Sequence, residues 1–265
     1  MKQSVFKILL ILFMFGFAGC NGQDGLDFTD LDTSPGYFVE CYLVRGEVLK
    51  LSATKITPLK DDYVLDYSLK FEVHVDSVRL WQSLYSEAGS NYIYNYGSPR
   101  IFKPSEADDE IGLTVITPEN DTLTSRTTIP DEIQLKDINV VEDCTVIHFL
   151  PSPNSYHDYY ILKATSYYQN KETNNDVLFY DLSKVRNDSS SLDIKYSLEK
   201  KYECDNLKFQ LFRVTEDNYN YQLSLWNARK ANSDNLIFPD PLDSNIDNGI
   251  GIFTCYSEVE FEVDL

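Results

Sequence analysis

Tyr67-Ser68-Leu69-Lys70-Phe71-Glu72-Val73 alternates apolar or aromatic residues with polar ones at a strict period of two. Successive side chains of a strand point to opposite faces, so the stretch reads as a half-buried β-strand with one wet face. The neighbouring sequence carries the same signature. Residues 37–43, 47–53, 63–75, 78–82, 111–116 and 122–129 are short runs rich in β-branched and aromatic residues. Turn-formers such as Lys60-Asp61-Asp62 and Pro118-Glu119-Asn120-Asp121 separate them. That spacing predicts an antiparallel, immunoglobulin-like β-sandwich over residues 37–130. Ile129-Pro130-Asp131 marks an internal boundary, because proline ends the strand. A second set at 132–140, 145–150, 158–168, 177–180, 191–196 and 206–214 predicts a C-terminal, sandwich-like β domain over 131–265. Residues 250–263 form its last strand pair or one long strand. The chain is therefore expected to be mostly β, with two β-sandwich-like domains.

One segment breaks the pattern. Thr215-Glu216-Asp217-Asn218 offers an N-cap and an acidic first turn, and residues 219–231 have helical spacing closed by Arg229 and Lys230. Tyr219, Leu223 and Trp226 fall on one stripe, while Tyr221, Leu225 and Ala228 fall on nearly the opposite one. A helix that is apolar on two sides is packed on two sides, so this one is expected between sheet and loops.

Composition sets the outer bounds. The chain has 265 residues, 43% of them hydrophobic, which suffices for a sizeable core. With 42 Asp+Glu against 23 Lys+Arg the formal net charge is −19, so no nucleic-acid partner is expected, since phosphate neutralisation needs clustered cations. Tyr (19) and Phe (15) are unusually frequent, which directs the search for binding elements to aromatic clusters.

The N-terminus carries an address. Lys2 and Lys7 precede an apolar stretch at 8–17, and Phe17-Ala18-Gly19-Cys20 places small residues immediately before a cysteine. The stretch falls short of the ~20 residues of a membrane span. Residues 1–19 read as a lipoprotein signal peptide. The Cys20 thiol would be diacylated, the chain cut before it, and the new amine acylated too, for instance with palmitate. Two or three acyl chains anchor stably where one does not, at ~0.8 kcal/mol per buried CH₂. Residues 20–36 are polar, Gly-containing and free of basic side chains, and read as a flexible tether. The expected location is a membrane surface, held through the lipid on Cys20.

Four further cysteines, Cys41, Cys144, Cys204 and Cys255, permit two disulfides in three connectivities. Export to an oxidising compartment makes at least one disulfide the expectation, although Cys41 and Cys255 lie in apolar strands where Cys also serves as a small hydrophobe. There is no C-x-x-C for zinc or redox chemistry. Nucleophile elbow, metalloprotease, P-loop and dinucleotide motifs are likewise missing from the sequence. His74 and His148 sit in strand patterns and read as structural, and His157 lies in a loop without a spaced ligand pair. Asp243-Ser244-Asn245-Ile246-Asp247-Asn248-Gly249 has oxygen ligands at positions 1, 3 and 5, but Gly at 7 and Thr254 at 12 do not fit a calcium loop. It reads as a turn before a strand. No catalytic residue, metal or cofactor is expected.

The binding candidate is Asn91-Tyr92-Ile93-Tyr94-Asn95-Tyr96-Gly97. In a regular strand Tyr92, Tyr94 and Tyr96 share one face, with Trp81 near in sequence. Such a face can stack a sugar or anchor a protein partner. A cross-strand aromatic ladder is the structural alternative.

Several stretches together resemble a known family. They are Tyr37-Phe38-Val39-Glu40-Cys41-Tyr42-Leu43 with Gly46-Glu47-Val48-Leu49-Lys50-Leu51; Leu113-Thr114-Val115 to Thr127-Thr128-Ile129-Pro130; and Tyr159-Tyr160. Sharper still are Tyr219-Asn220-Tyr221-Gln222-Leu223-Ser224-Leu225, Phe238-Pro239-Asp240-Pro241 and Ser244-Asn245-Ile246-Asp247-Asn248-Gly249-Ile250-Gly251-Ile252-Phe253. The order resembles the domain-of-unknown-function 4249 family of exported Bacteroidota lipoproteins, over about residues 37–255. Cys41 and Cys255 depart from it, where a small or apolar residue is expected. The resemblance implies an outer-membrane lipoprotein, facing periplasm or cell surface, that accompanies a TonB-dependent transporter of the SusC type. It transfers no catalytic residues. In the same setting Asp24 and Asp27 resemble a surface-export signal, and Asp76-Ser77-Val78 and Asp121-Thr122-Leu123 resemble Bacteroidota O-glycosylation sites. The leading expectation is a non-enzymatic binding or accessory subunit; the alternatives are a fimbrial or adhesin-type subunit and a hydrolase with an unrecognised site.

Overall fold

The computed structural model describes residues 36–56, 70–86, 92–104, 110–141, 144–154, 157–185, 191–199, 202–233 and 241–265, all within one compact unit. The signal peptide, Cys20 and all of the tether but Gly36 lie outside the described residues. The fold is mostly β with a single helix among those residues, as the sequence patterns predict.

Strands β1 (Tyr37–Val44), β2 (Val48–Lys55), β3 (Glu72–Val75), β4 (Val78–Ser86), β5 (Ile93–Ile101), β6 (Glu110–Ile116) and β7 (Thr122–Thr128) come from the first half. The second half supplies β8 (Leu135–Val141), β9 (Cys144–Phe149), β10 (Tyr159–Tyr168), β11 (Lys171–Asp181), β12 (Leu192–Ser197), β13 (Asn206–Val214), helix α1 (Glu216–Ser233) and β14 (Ile250–Asp264). Eleven strands form one sheet in the order β11-β10-β13-β14-β1-β2-β5-β4-β3-β6-β7, and β12-β9-β8 form a three-stranded sheet. Of the opening heptapeptide, Lys70 is exposed, Phe71 and Val73 are buried and Glu72 is intermediate, so the alternation holds where it is described.

Strand β14 organises the molecule. It runs parallel to β1, with Cys41 opposite Phe253, and antiparallel to β13, with Phe209 opposite Phe261. The segments on either side of Ile129-Pro130-Asp131 contribute mainly to different hydrophobic clusters, and β14 feeds both. Phe253 and Cys255 join Val39, Cys41, Leu43, Leu51, Val73, Leu113, Val115 and Leu123. Val259, Phe261 and Val263 pack on the core of Ile147, Phe149, Tyr160, Leu162, Ile194, Phe209 and Leu211, which the three-stranded sheet covers. All five β14 residues are odd-numbered and therefore share one strand face. The even-numbered Thr254 and Tyr256 face the other way, toward Thr215 and Phe212.

The Asn245–Phe253 motif builds the entry to β14. Asn245 Oδ1 accepts from the Phe253 amide at 2.9 Å and its Nδ2 donates to the Phe253 carbonyl at 2.8 Å, so one side chain replaces a missing strand partner. Ile246 is buried in the first core. At Gly251 φ is +128°, and an added Cβ would stand 1.9 Å from the Val39 carbonyl oxygen, so only glycine lets β14 join β1 here. The expected turn before a strand is what these residues form, with Thr124 paired to Asp247.

The expected helix forms. Thr215 Oγ1 accepts from the Asn218 amide at 3.3 Å, Glu216 and Asp217 occupy the first turn, and Lys230 the last. Its most buried residues are Asn218, Tyr221, Ser224 and Ala231. The residues of the expected apolar stripes are largely half-buried instead, Tyr221 excepted.

The expected disulfide is not formed, and Cys41, Cys144, Cys204 and Cys255 are all free thiols. Cys41 and Cys255 face the same core, but the register puts Cys255 opposite Leu43. They are diagonal neighbours, and a diagonal spacing of ~7–8 Å exceeds the ~4.4–6.8 Å between Cα atoms that a disulfide bridges. Cys41 instead donates to the Lys50 carbonyl at 3.4 Å.

Candidate functional site

The sheet face opposite the two cores carries α1, and a cavity of about 550 Å³ opens between them. Strand pairing aligns its floor: Ile161 lies opposite both Phe179 and Phe212, and Val214 opposite Tyr256. Aromatic rings dominate the walls, from Tyr42 on β1, Tyr94 on β5, Phe179 on β11, Phe212 on β13, Tyr256 on β14 and Trp226 on α1. The helix turns Asn218, Gln222, Trp226 and Arg229 inward, a stripe at successive steps of four, four and three residues. A volume within ~300–1,000 Å³, apolar walls and a few placed polar groups match the usual form of a small-molecule site.

Charge in this cavity runs against that of the chain. Lys50, Lys163 and Arg229 line it, with Glu47 as the acid among the described lining residues. Glu47 bonds Lys50 at 3.0 Å. Lys163 Nζ lies 4.9 Å from the Phe212 ring centre and Lys50 Nζ 5.2 Å from that of Tyr94, so both ammonium groups sit over aromatic faces. Glu258 neighbours Lys163; partial desolvation, then Glu47 and Glu260, hold its carboxyl above the usual range.

A buried carboxylate fixes the inner wall. Glu40 accepts from Tyr221 at 2.6 Å, from Tyr92 through its other oxygen, and from Tyr42 at 3.5 Å. Gln222 Nε2 in turn donates to the Tyr42 hydroxyl at 2.9 Å. Burial, and then the Glu40 charge, push the three phenols well above the ordinary tyrosine range, so they stay protonated and remain donors. Glu40 thus ties β1, the start of β5 and α1 together behind the cavity. Asn218 differs. It is 3% exposed, lines the cavity, and its Oδ1 has no hydrogen-bond partner among the described residues.

Trp81, Tyr92, Tyr94 and Tyr96 do not form the single aromatic face that strand periodicity predicts. Asn95 interrupts the pairing: its amide bonds the Ala53 backbone at 2.9 and 2.7 Å. On one side of it Tyr96 enters the first core, its hydroxyl accepting from the Phe71 amide at 2.9 Å. On the other, Tyr94 packs 4.8 Å from Tyr92 and lines the cavity. Trp81 is 60% exposed, stacked under Arg79 at 4.6 Å, and not part of the cavity. Of the residues that line the cavity, the sequence reading had singled out Tyr94 as a binding candidate and missed the rest, among them Lys50, Lys163, Phe179, Phe212, Asn218 and Arg229. The helical stripe alone carried a local signal, the polar residues Asn218, Gln222 and Arg229 flanking the stripe that holds Trp226.

The histidines have structural partners. His74 bonds Glu72 at 3.0 Å, His148 bonds Asp193 at 2.6 Å, and the buried His157 bonds Thr128 at 3.1 Å. Among the described residues no group of three His, Cys, Asp or Glu could hold a metal ion. Ser77 and Thr122 are exposed.

A mostly-β protein with a ligand-sized cavity under its helix is the class that fold and site define. The family model for a domain of unknown function, DUF4249, matches residues 27–262, and the chain belongs to that family. A search of curated proteins finds no match.

Proposed function

We propose that the protein is a non-enzymatic binding subunit, anchored to the outer membrane through acylated Cys20 and serving a TonB-dependent transporter of the SusC type. The observation that carries the binding reading is the cavity. It is lined by aromatic rings and cations, and the residues behind it are spent on holding its walls in place. The anchor follows from the small residues before Cys20, and the transporter from the family resemblance. In the described residues no helix is long and apolar enough to cross a membrane.

The test is purification through a C-terminal tag from outer membranes in mild detergent, with Cys20→Ala as the comparison. The expected result is a TonB-dependent barrel in stoichiometric amount with the native chain, and loss of membrane recovery for the variant. Recovery of the chain alone, or only with copies of itself, overturns the transporter reading.

A further inference from the structure

Resting on that binding reading, we propose that the cavity takes an uncharged, flat ring compound bearing a hydroxyl, with the ring against Phe179, Phe212 and Trp226 and the hydroxyl donating to Asn218 Oδ1. Charge comes first, because it is balanced around the cavity. Lys50 pairs with Glu47 at 3.0 Å. Lys163 stands beside Glu258, which lies opposite Phe212 of the cavity floor. Arg229 is engaged within the fold and acts on Tyr221, the phenol that donates to the buried Glu40. Each cation of the lining thus has an acid at hand, and a charged ligand of either sign would have to disrupt one of these arrangements. An uncharged ligand leaves all three in place.

The walls decide shape and polarity. Ile161, Val177, Phe179, Phe212 and Val214 form an apolar floor across β10, β11 and β13. Trp226 closes it from α1, its ring centre 6.0 Å from that of Phe179 at 62°, and Phe212 meets Tyr256 at 5.6 Å and 70°. A further flat ring can join such an edge-to-face set. A sugar, with hydroxyls on every side, is poorly matched by this floor, and Gln222 and Tyr42 are already bonded to each other and Tyr42 to Glu40. Burying hydroxyls unpaired is costly. Asn218 supplies the one specific polar contact. It lines the cavity, is 3% exposed, and its Oδ1 has no hydrogen-bond partner among the described residues. A carbonyl-type oxygen buried in this way is costly until a donor reaches it, so a single hydroxyl offered from the cavity is matched there.

The experiment uses the chain from Asn21 onward, which holds every described residue, with uncharged N-phenyl-1-naphthylamine as fluorescent reporter. 2-Naphthol, naphthalene and 2-naphthoate, which share a ring body, and glucose then compete for it at pH 7. The expected result is saturable one-to-one dye binding, abolished by Val177→Trp, which fills the cavity from its half-buried floor. Phe179→Ala, which opens one wall, should weaken the dye several-fold and locates the site independently. Displacement should be tightest for 2-naphthol, about five- to tenfold weaker for naphthalene, weaker again for 2-naphthoate and absent for glucose. Asn218→Leu should bring 2-naphthol down to naphthalene with the melting temperature retained or raised, whereas a merely structural Asn218 would shift both competitors alike. Equal displacement by 2-naphthol and naphthalene, or an advantage that survives Asn218→Leu, overturns the hydroxyl assignment. Tightest displacement by 2-naphthoate overturns the uncharged assignment, and by glucose the flat-ring one, while in each case the binding reading stands. Dye binding that is absent, or indifferent to both Val177→Trp and Phe179→Ala, removes the ligand class and the cavity's binding role together.

Discussion

Replacing Arg213 with Met should cost more stability than any surface change in the chain. The side chain is 1% exposed, and Arg213 lies opposite Ser257 on β14, between Cys255 of one core and Val259 of the other. Its Nη2 donates to the Leu150 carbonyl at 2.7 Å, and its Nη1 to the carbonyls of Glu132 at 3.1 Å and Asp131 at 3.3 Å. Nε and Nη2 donate to the Tyr160 hydroxyl at 3.1 and 3.0 Å, and that hydroxyl donates onward to Asp158 at 3.0 Å. Methionine keeps the apolar stem and removes every donor. The Asp131 carbonyl retains the Ser257 hydroxyl at 2.6 Å, but the Leu150 and Glu132 carbonyls lose the guanidinium. Two orphaned acceptors at ~1–3 kcal/mol each give about 2–6 kcal/mol, and breaking a buried charged network typically costs ~3–5 kcal/mol. At roughly 2–4 °C per kcal/mol for a unit of this size, Tm should fall by about 10 °C. Urea unfolding followed by circular dichroism measures the loss. Arg213→Lys should recover little, because one ammonium cannot serve acceptors spread around a planar fork. A loss below about 1 kcal/mol with an unchanged m-value would refute the idea that this network stabilises the fold.

Three further outcomes are expected. Gly251→Ala, at φ +128° and against the Val39 carbonyl, should destabilise by about 3 kcal/mol or more, read as a lower urea midpoint; a neutral substitution would mean that β14 need not approach β1 so closely. Burial pushes the Cys255 thiol up to about 12 and Cys41 higher still, so at pH 8 a thiol reagent should label Cys144 and Cys204 in the native chain and reach the other two only on unfolding. Glu258 is raised in the fold, so its ionisation costs stability as pH rises through the folded pKa, whereas below the ordinary Glu pKa both states are protonated. Glu258→Gln should therefore raise Tm at pH 7 and change nothing near pH 4, and an equal effect at both would exclude titration as the cause.

The β class, the helix and the turn before β14 were legible because each follows from a local signal. Period two, an N-cap before an acidic first turn, and turn-forming residues act within a few positions. The aromatic face misled for a reason that is also local but invisible in the pattern. Asn95 replaces backbone pairing with its own side chain, so Tyr94 and Tyr96 part company although two residues separate them. For Cys41 and Cys255 the disulfide expectation failed on register. Whether two thiols stand opposite or diagonal depends on how β1 and β14 are aligned, and those strands lie at the two ends of the chain.

By itself, then, the sequence determined most of the strand segments (though not β5 or the first part of β11), where the helix begins, and which residues have an apolar face to bury, since those are short-range consequences of side-chain chemistry. Tertiary structure alone decided what the faces meet. It placed one face of β14 under both cores and turned the other toward α1. It brought Lys50, Lys163 and Arg229 to one aromatic cavity, although Lys50 stands 113 residues from Lys163 and Arg229 lies 66 beyond that. Such a juxtaposition depends on strand order and register across the sheet, which no local pattern encodes.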